Sequence, residues 1–220
     1  MKDYKIQLAA ILKQRFKDDK SGHDFYHLER VSNLALSIQK KEGGDRLVVG
    51  TAAFLHDIHR LMQNQTGAFV HPKESLPEVL NLLKKVGFPE DKTNQVLHCV
   101  EFHEEYSFSE NGRTVNDLET LILQDADNLD AIGAIGIGRT FAYGGANGVT
   151  LWVPEVPLDS QSAYDESMGN DPSTIHHFYH KLLRLGRSMN TKTGQEIAKS
   201  RIAYMEEFVD RFFKEWQGKL

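Results

Sequence analysis

The chain has 220 residues, 40% hydrophobic and 26% charged, which is enough apolar material for a buried core and too much for a disordered chain. A formal net charge of -5 excludes a general electrostatic attraction to nucleic acid or anionic lipid, so phosphate recognition has to come from a local cluster. The single cysteine, Cys99, excludes an internal disulfide and a multi-cysteine zinc site, and fits a reducing, cytoplasmic setting.

The first twenty residues interrupt every apolar run with charge, so neither a signal peptide nor a membrane span is expected there. Tyr4, Leu8, Ile11, Leu12 and Phe16 recur at three- and four-residue spacing and predict an amphipathic helix over 3–17. A polar turn containing Gly22 follows, and the periodicity resumes over 26–41 through Val31, Leu34, Ala35 and Ile38, ending at Gly43 and Gly44. A third helix is expected over 45–62, spanning the run Ala52-Ala53-Phe54-Leu55 and the dipeptide His56-Asp57.

Residues 63–73 read as a loop, followed by helices over 75–86 and 91–103 parted by Gly87-Phe88-Pro89. After a second loop at 104–114, Leu118, Leu121, Ile122 and Leu129 predict a helix over 116–131. The glycine-rich stretch 132–168 reads as a long loop, and 143–148 within it has the composition of a mobile lid. Helical periodicity returns over the last fifty residues and closes with a long helix over 194–216, where Phe208, Phe212, Phe213 and Trp216 suit a core or a homodimer contact. The expected fold is all-α: one compact multi-helix bundle, residues 1–220 as a single domain, with an irregular glycine-rich region around 132–168.

The chemistry centres on His56-Asp57. An apolar run carries straight into two metal ligands where a helix should pack its core, and a buried carboxylate has to be neutralised, paired or metal-bound. Three predicted helices supply His27, then His56 and Asp57, then Asp125 or Asp127. Any one of them alone is more ordinary as a capping or hydrogen-bonded residue, and the ordered combination carries the reading. His71, His98 and His103 are further candidates for protonating a leaving group or contacting phosphate, and Glu74 is a candidate base. Arg30, Arg139, Lys181 and Arg184 are candidates for neutralising substrate phosphates.

Two rivals are weaker. The run Gly133 to Thr140 approximates a P-loop, but Arg139 stands where lysine belongs and a predicted helix precedes it instead of a strand. Its glycines better suit close helix packing or a loop shaped over the site. Cys99, with His98 and His103 nearby, admits a nucleophile reading, but its apolar surroundings suit a packed thiol.

His27 with Arg30-Val31, then His56-Asp57, then the run from Asp125 to Gly133 together resemble the HD superfamily of metal-dependent phosphohydrolases. The phrases HDFYHLERV, DADNLDAIGAIGIGRTFAYGG, HHFYHKLLRL and NTKTGQEIAKSRIAYMEEFVDRF are similar to the branch typified by the bacterial YpgQ and YedJ proteins, from about residue 20 onward. The resemblance implies His27, His56, Asp57 and Asp127 as metal ligands, with Asp125 the alternative to Asp127. It implies one divalent ion, manganese first, with magnesium, nickel, cobalt, iron or zinc as alternatives, and a water oriented by Asp57. It further implies a nucleotide substrate, while the net charge leads us to expect no nucleic-acid or membrane partner. Release of pyrophosphate from nucleoside triphosphates is the leading activity, and nucleoside monophosphate phosphatase or a non-catalytic nucleotide sensor are the alternatives. His59 departs from the family pattern and lies one turn after His56, where it could compete as a ligand or line the pocket.

Overall fold

The computed structural model describes residues 2–106, 108, 115–158 and 171–219, and every regular element among them is helical. Several of the helices start where a short polar side chain satisfies their free amides. α1 (Lys2–Arg15) is followed by α2 (Phe25–Glu42), whose N-cap Asp24 accepts from the His27 amide. Asp45 caps α3 (Arg46–Leu55) through the amides of Leu47 and Val48. α4 (Ile58–Thr66) ends on Gly67 in the left-handed conformation, at φ 69°. A 3-10 turn, Pro72–Ser75, leads into α5 (Leu76–Lys85), and α6 (Glu90–Phe102) opens after Pro89 on the acidic pair Glu90 and Asp91.

Asp117 caps α7 (Leu118–Asp130), and α8 (Gly133–Ala146) follows almost at once. The remainder comprises α9 (Thr174–His177), a π-turn over Phe178–Leu182, α10 (Leu183–Arg187) and α11 (Lys192–Trp216), which Thr191 caps. α3 is the innermost of these: Val48, Val49, Ala52, Ala53, Phe54 and Leu55 are all buried, so the helix has almost no polar face and threads the interior. α2 packs against both α3 and α7, and α6 also packs on α3. α11 lies against α2, α7, α8 and α10. No described helix is long and apolar enough to cross a membrane.

The structure corrects the expected elements in two places. The helix expected over 45–62 breaks at His56-Asp57 itself, because Asp57 adopts φ -91° and ψ 15° and α4 starts anew at Ile58. That sparsely populated conformation is one in which active-site residues are often found. The loop expected over 132–168 is helical as far as Ala146, so the lid reading of 143–148 falls on the end of α8 and a turn at Gly148. Residues 159–168 of that stretch, and 107 and 109–114 of the loop expected at 104–114, lie outside the described residues.

The glycines of α8 answer to packing rather than to flexibility. A Cβ on Gly136 would sit 2.2 Å from the Ala131 carbonyl oxygen, and one on Gly144 would sit 2.5 Å from Thr174 Oγ1. Poor helix propensity is thus overridden by contacts that only glycine allows. The P-loop reading ends here as well, because residues 133–140 are helical and the element before them is α7. Cys99 is buried in the core, where burial pushes its thiol up to about 12, which disfavours the thiolate a nucleophile needs. Phe208 stacks on Phe178 and meets Phe141 edge-on, whereas Trp216 stacks on Phe212 and remains half exposed.

Two neighbouring glycines should therefore respond oppositely to alanine. Gly136→Ala is expected to destabilise the protein by about 1–3 kcal/mol through overpacking. Gly138→Ala, whose new Cβ would meet nothing within 4 Å, is expected to be neutral or stabilising by up to about 1 kcal/mol. Thermal melts of the two variants beside the parent chain check this.

Candidate metal centre

Three helices and the break between α3 and α4 deliver the centre. His27 occupies the first turn of α2, with its amide held by Asp24 Oδ1 at 2.9 Å. His56 closes α3, and the unusual backbone of Asp57 accompanies a carboxylate that faces the histidines. Asp57 Oδ2 lies 3.1 Å from His27 Nε2 and 3.6 Å from His56 Nε2. From α7, Asp127 Oδ1 lies 3.4 Å from His27 Nε2 and 3.6 Å from His56 Nε2. The two Nε2 atoms are themselves 3.2 Å apart, and both rings are fully buried.

The hydrogen bonds behind the rings decide what faces the centre. His56 Nδ1 is 2.8 Å from the Ala53 carbonyl, which can only accept, so Nδ1 carries the proton and Nε2 presents a lone pair. His27 Nδ1 is 2.8 Å from Asp130 Oδ2, which likewise leaves its Nε2 as an acceptor. Two lone pairs opposed at this distance repel unless a positive charge lies between them. Burial would lower the pKa of His56, but Asp57 and Asp127 outweigh it and push His56 up to about 9, so a proton fills that role when no cation does. Burial would likewise raise Asp57 and Asp127, and the facing histidines instead hold both below the usual carboxylate range. Two imidazole nitrogens and two carboxylates form a donor set suited to a divalent first-row ion or magnesium.

Asp130 supports His27 and is itself braced by cations. Arg30 Nε donates to Oδ1 at 2.7 Å and Nη2 to Oδ2 at 3.0 Å, and Arg139 Nη1 donates to Oδ2 at 3.0 Å. Arg139 also donates through Nε to the Gly22 carbonyl at 2.9 Å. Arg30, expected to bind substrate phosphate, is thus engaged in holding Asp130. Asp125, the alternative to Asp127, faces elsewhere. It accepts from the Asn190 and Thr191 amides, each at 2.7 Å, and from Thr191 Oγ1 at 2.6 Å, which anchors the start of α11.

Several of the other sequence candidates fall outside the group. His98 Nε2 is 3.0 Å from Asp117 Oδ2 on an exposed stretch of α6. Glu74 and His71 form a capping box on the 3-10 turn, Glu74 Oε1 accepting from the His71 amide at 3.2 Å. Arg184 lies 4.5 Å over the Phe108 ring and donates to the His180 and Phe108 carbonyls. His103 does join the group: it is buried, and its ring centroid is 5.1 Å from that of His56.

Sequence reasoning missed His23, whose Nδ1 lies 2.7 Å from Asp57 Oδ2 and whose ring meets His27 edge-on at 5.2 Å. Burial pulls His23 down to about 4 against the opposing effect of Asp57, so near neutral pH it is an uncharged imidazole. It sits in the turn before α2, where helical periodicity offers no signal, and its clue is its place at the head of the phrase HDFYHLERV, four residues ahead of His27. Asp130 and Glu104 were also missed, because neither belongs to a ligand pattern.

The centre opens on a cavity of about 560 Å³ whose lining includes His23, Asp127, Arg139, Tyr143, His177 and Lys181. Lys181 is largely buried, with its Nζ 4.8 Å over the Tyr106 ring.

Comparison with known proteins finds likeness over nearly the whole chain. A family model described as HD domain matches residues 24–132. Bacillus subtilis YpgQ is 35% identical over 215 residues, covering 96% of this chain and 93% of that protein. Among solved structures, a Lactobacillus plantarum protein superposes with a TM-score of 0.83 at 32% identity, over 99% of both chains. An HD-superfamily hydrolase from Bacillus thuringiensis follows at 0.70 and 33%, covering 98% of this chain and 97% of that one. YpgQ in complex with ADP superposes at 0.68 and 33%, covering 94% and 97%.

Two predictions follow from the hydrogen bonds. Asp130→Asn loosens the hold on His27 Nδ1 and should weaken divalent-cation binding about 10–100-fold, measured by titration calorimetry. In metal-free protein, His23 and His103, both pulled down to about 4 by burial, stay neutral in the fold while the unfolded chain takes up protons below 6.5. Stability should therefore fall as pH drops from 6.5 towards about 4. His56, raised to about 9 from 6.5, contributes stability that is complete below 6.5 and is lost as pH rises through about 9. Thermal melts of chelator-treated protein across pH should thus be highest near 6.5.

Proposed function

The chain belongs to the HD domain family of hydrolases, and from that premise we propose that it is a nucleotide phosphohydrolase that releases pyrophosphate from nucleoside triphosphates. The observation that carries this reading is the opposed pair His27 Nε2 and His56 Nε2, flanked by Asp57 and by Asp127, which lines a cavity that also holds a lysine. The proposal takes residues 1–220 as one catalytic unit.

His27, His56, Asp57 and Asp127 would hold a divalent ion, manganese first. Such an ion supplies Lewis acidity, lowering the pKa of a water and neutralising a phosphate oxygen. The remaining work falls to the protein. Asp57 Oδ2 accepts from His23 Nδ1, which leaves His23 Nε2 as the acceptor nitrogen of a neutral ring that lines the cavity. That arrangement suits it to take the proton of the attacking water as general base. Lys181 is placed to neutralise phosphate charge, with Arg139 on the same wall although partly committed to Asp130.

A nucleotide is supported by the shape and lining of the cavity. Its volume lies in the range of small-molecule sites, roughly 300–1,000 Å³. Phe69 and Tyr143 line it and are each more than a third exposed, offering ring faces to a base. The ADP held by YpgQ is consistent with the same ligand class here.

The test is a manganese-supplemented panel of nucleoside tri-, di- and monophosphates that resolves phosphate from pyrophosphate. Pyrophosphate release is expected to be abolished by chelator or by Asp127→Ala. His23→Gln is expected to lower kcat by about 10²–10⁴-fold while leaving KM within a few-fold. Phosphate release from monophosphates alone would replace this reading with a phosphomonoesterase, and absence of turnover on the whole panel would end the nucleotide assignment.

A further inference from the structure

Asp57 belongs to a second group of ligand atoms. One atom each from Asp57, His59, His103 and Glu104 lies within 4.8 Å of the others. His59 opens α4, while His103 and Glu104 follow directly on the last residue of α6, so the group forms where two helix ends meet. His59 is fully buried, His103 is 1% exposed, and the Glu104 side chain is 11% exposed.

The two histidines repeat the device used at His56. His59 Nδ1 is 3.2 Å from the His56 carbonyl and His103 Nδ1 is 2.7 Å from the Val100 carbonyl, each three residues earlier in the chain. Carbonyl oxygens only accept, so both Nδ1 atoms carry the protons and both Nε2 atoms present bare lone pairs. Among the described residues neither Nε2 has a hydrogen-bond partner, although both are buried from solvent. Unpartnered acceptors of this kind are rare in folded interiors and ask what fills the space between them.

The nearest group is a carboxylate. Glu104 Oε2 lies 3.5 Å from His59 Nε2, and Oε1 lies 3.9 Å from His103 Nε2. Oε1 also accepts from Arg60 Nη2, which leaves Oε2 turned to His59. Arg60 further approaches Asp57, with Nε 3.7 Å from Oδ1, so a cation already compensates this corner without supplying a donor to either imidazole.

We propose that Asp57, His59, His103 and Glu104 form a second divalent-cation site, so that the centre takes two ions with Asp57 shared between them. The donor set, two imidazole nitrogens and two carboxylates, equals that of the first site and suits the same ions. The inference rests on the one-ion reading only through Asp57. Sites with two ions in general clamp both the attacking and the leaving oxygen of a phosphoryl transfer, which suits a substrate carrying several phosphates.

Counting ions tests this without reference to turnover. Chelator-stripped protein is loaded with manganese, freed of excess by gel filtration and measured by elemental analysis. Low-temperature electron paramagnetic resonance is recorded on the same samples. The expected result is two manganese ions per parent chain with a spin-coupled signal. One ion, with an isolated six-line signal, is expected in each of His59→Gln, Glu104→Gln and Asp127→Ala. Circular dichroism melts establish that each variant is folded, and Glu104→Gln stands in if His59→Gln is not. A parent chain holding one ion that survives His59→Gln and Glu104→Gln but is lost in Asp127→Ala would overturn the second site and leave the first standing. One ion lost in His59→Gln but kept in Asp127→Ala would overturn the first site along with the pair. No bound ion in the parent would overturn both.

Discussion

Two imidazole nitrogens with their lone pairs turned on one another inside an apolar bundle cannot stand without a positive charge between them. The 3.2 Å separation of His27 Nε2 and His56 Nε2 is the constraint from which the rest of the centre follows. Each ring is locked into that tautomer from behind, His56 by a backbone carbonyl and His27 by Asp130. Each is then flanked by carboxylates whose charge is itself tolerable in the interior only because the centre is cationic. Proton or metal ion, the same positive charge serves both requirements. This explains why so polar a group can sit at the end of α3, one of the least polar helices of the fold.

The basic residues divide along the same logic. A buried aspartate that braces a ligand needs its own compensation, and Arg30 and Arg139 supply it at Asp130. On the cavity wall a phosphate meets Lys181, a flexible point charge, and Arg139, which is partly committed to Asp130. The repetition at His59 and His103 extends the pattern: imidazoles near helix ends hand their Nδ1 protons to carbonyls three residues back, and their Nε2 lone pairs converge around Asp57 and Glu104.

α8 shows how far tertiary contact can override local preference. Its sequence is rich in glycine, the residue that pays most in conformational entropy for entering a helix. Gly136 nevertheless lies against the Ala131 carbonyl and Gly144 against Thr174, at distances no side chain would permit. The helix therefore exists because its surroundings need a backbone that close, and Arg139 is carried on it to Asp130.

The amino-acid sequence by itself was sufficient for the helical class, because apolar spacing is a local signal that survives without knowledge of the fold. It was sufficient also for the family and for the ordered set His27, His56-Asp57 and the aspartates of α7. Distances belong to the tertiary structure. Whether Asp125 or Asp127 faces the histidines turns on about half a helical revolution and on the Asn190 and Thr191 amides that occupy Asp125 from sixty-five residues away. His23 and Asp130 lie within phrases that resemble the family and Glu104 lies outside them, but none was marked as part of the site, and their roles emerge only because folding sets them beside the ligands. The break at Asp57 and the helix at 133–146 were equally hidden from periodicity, since both follow from what packs against the backbone. Spacing records which side of a helix is apolar; it holds no information on which distant polar atoms will meet there.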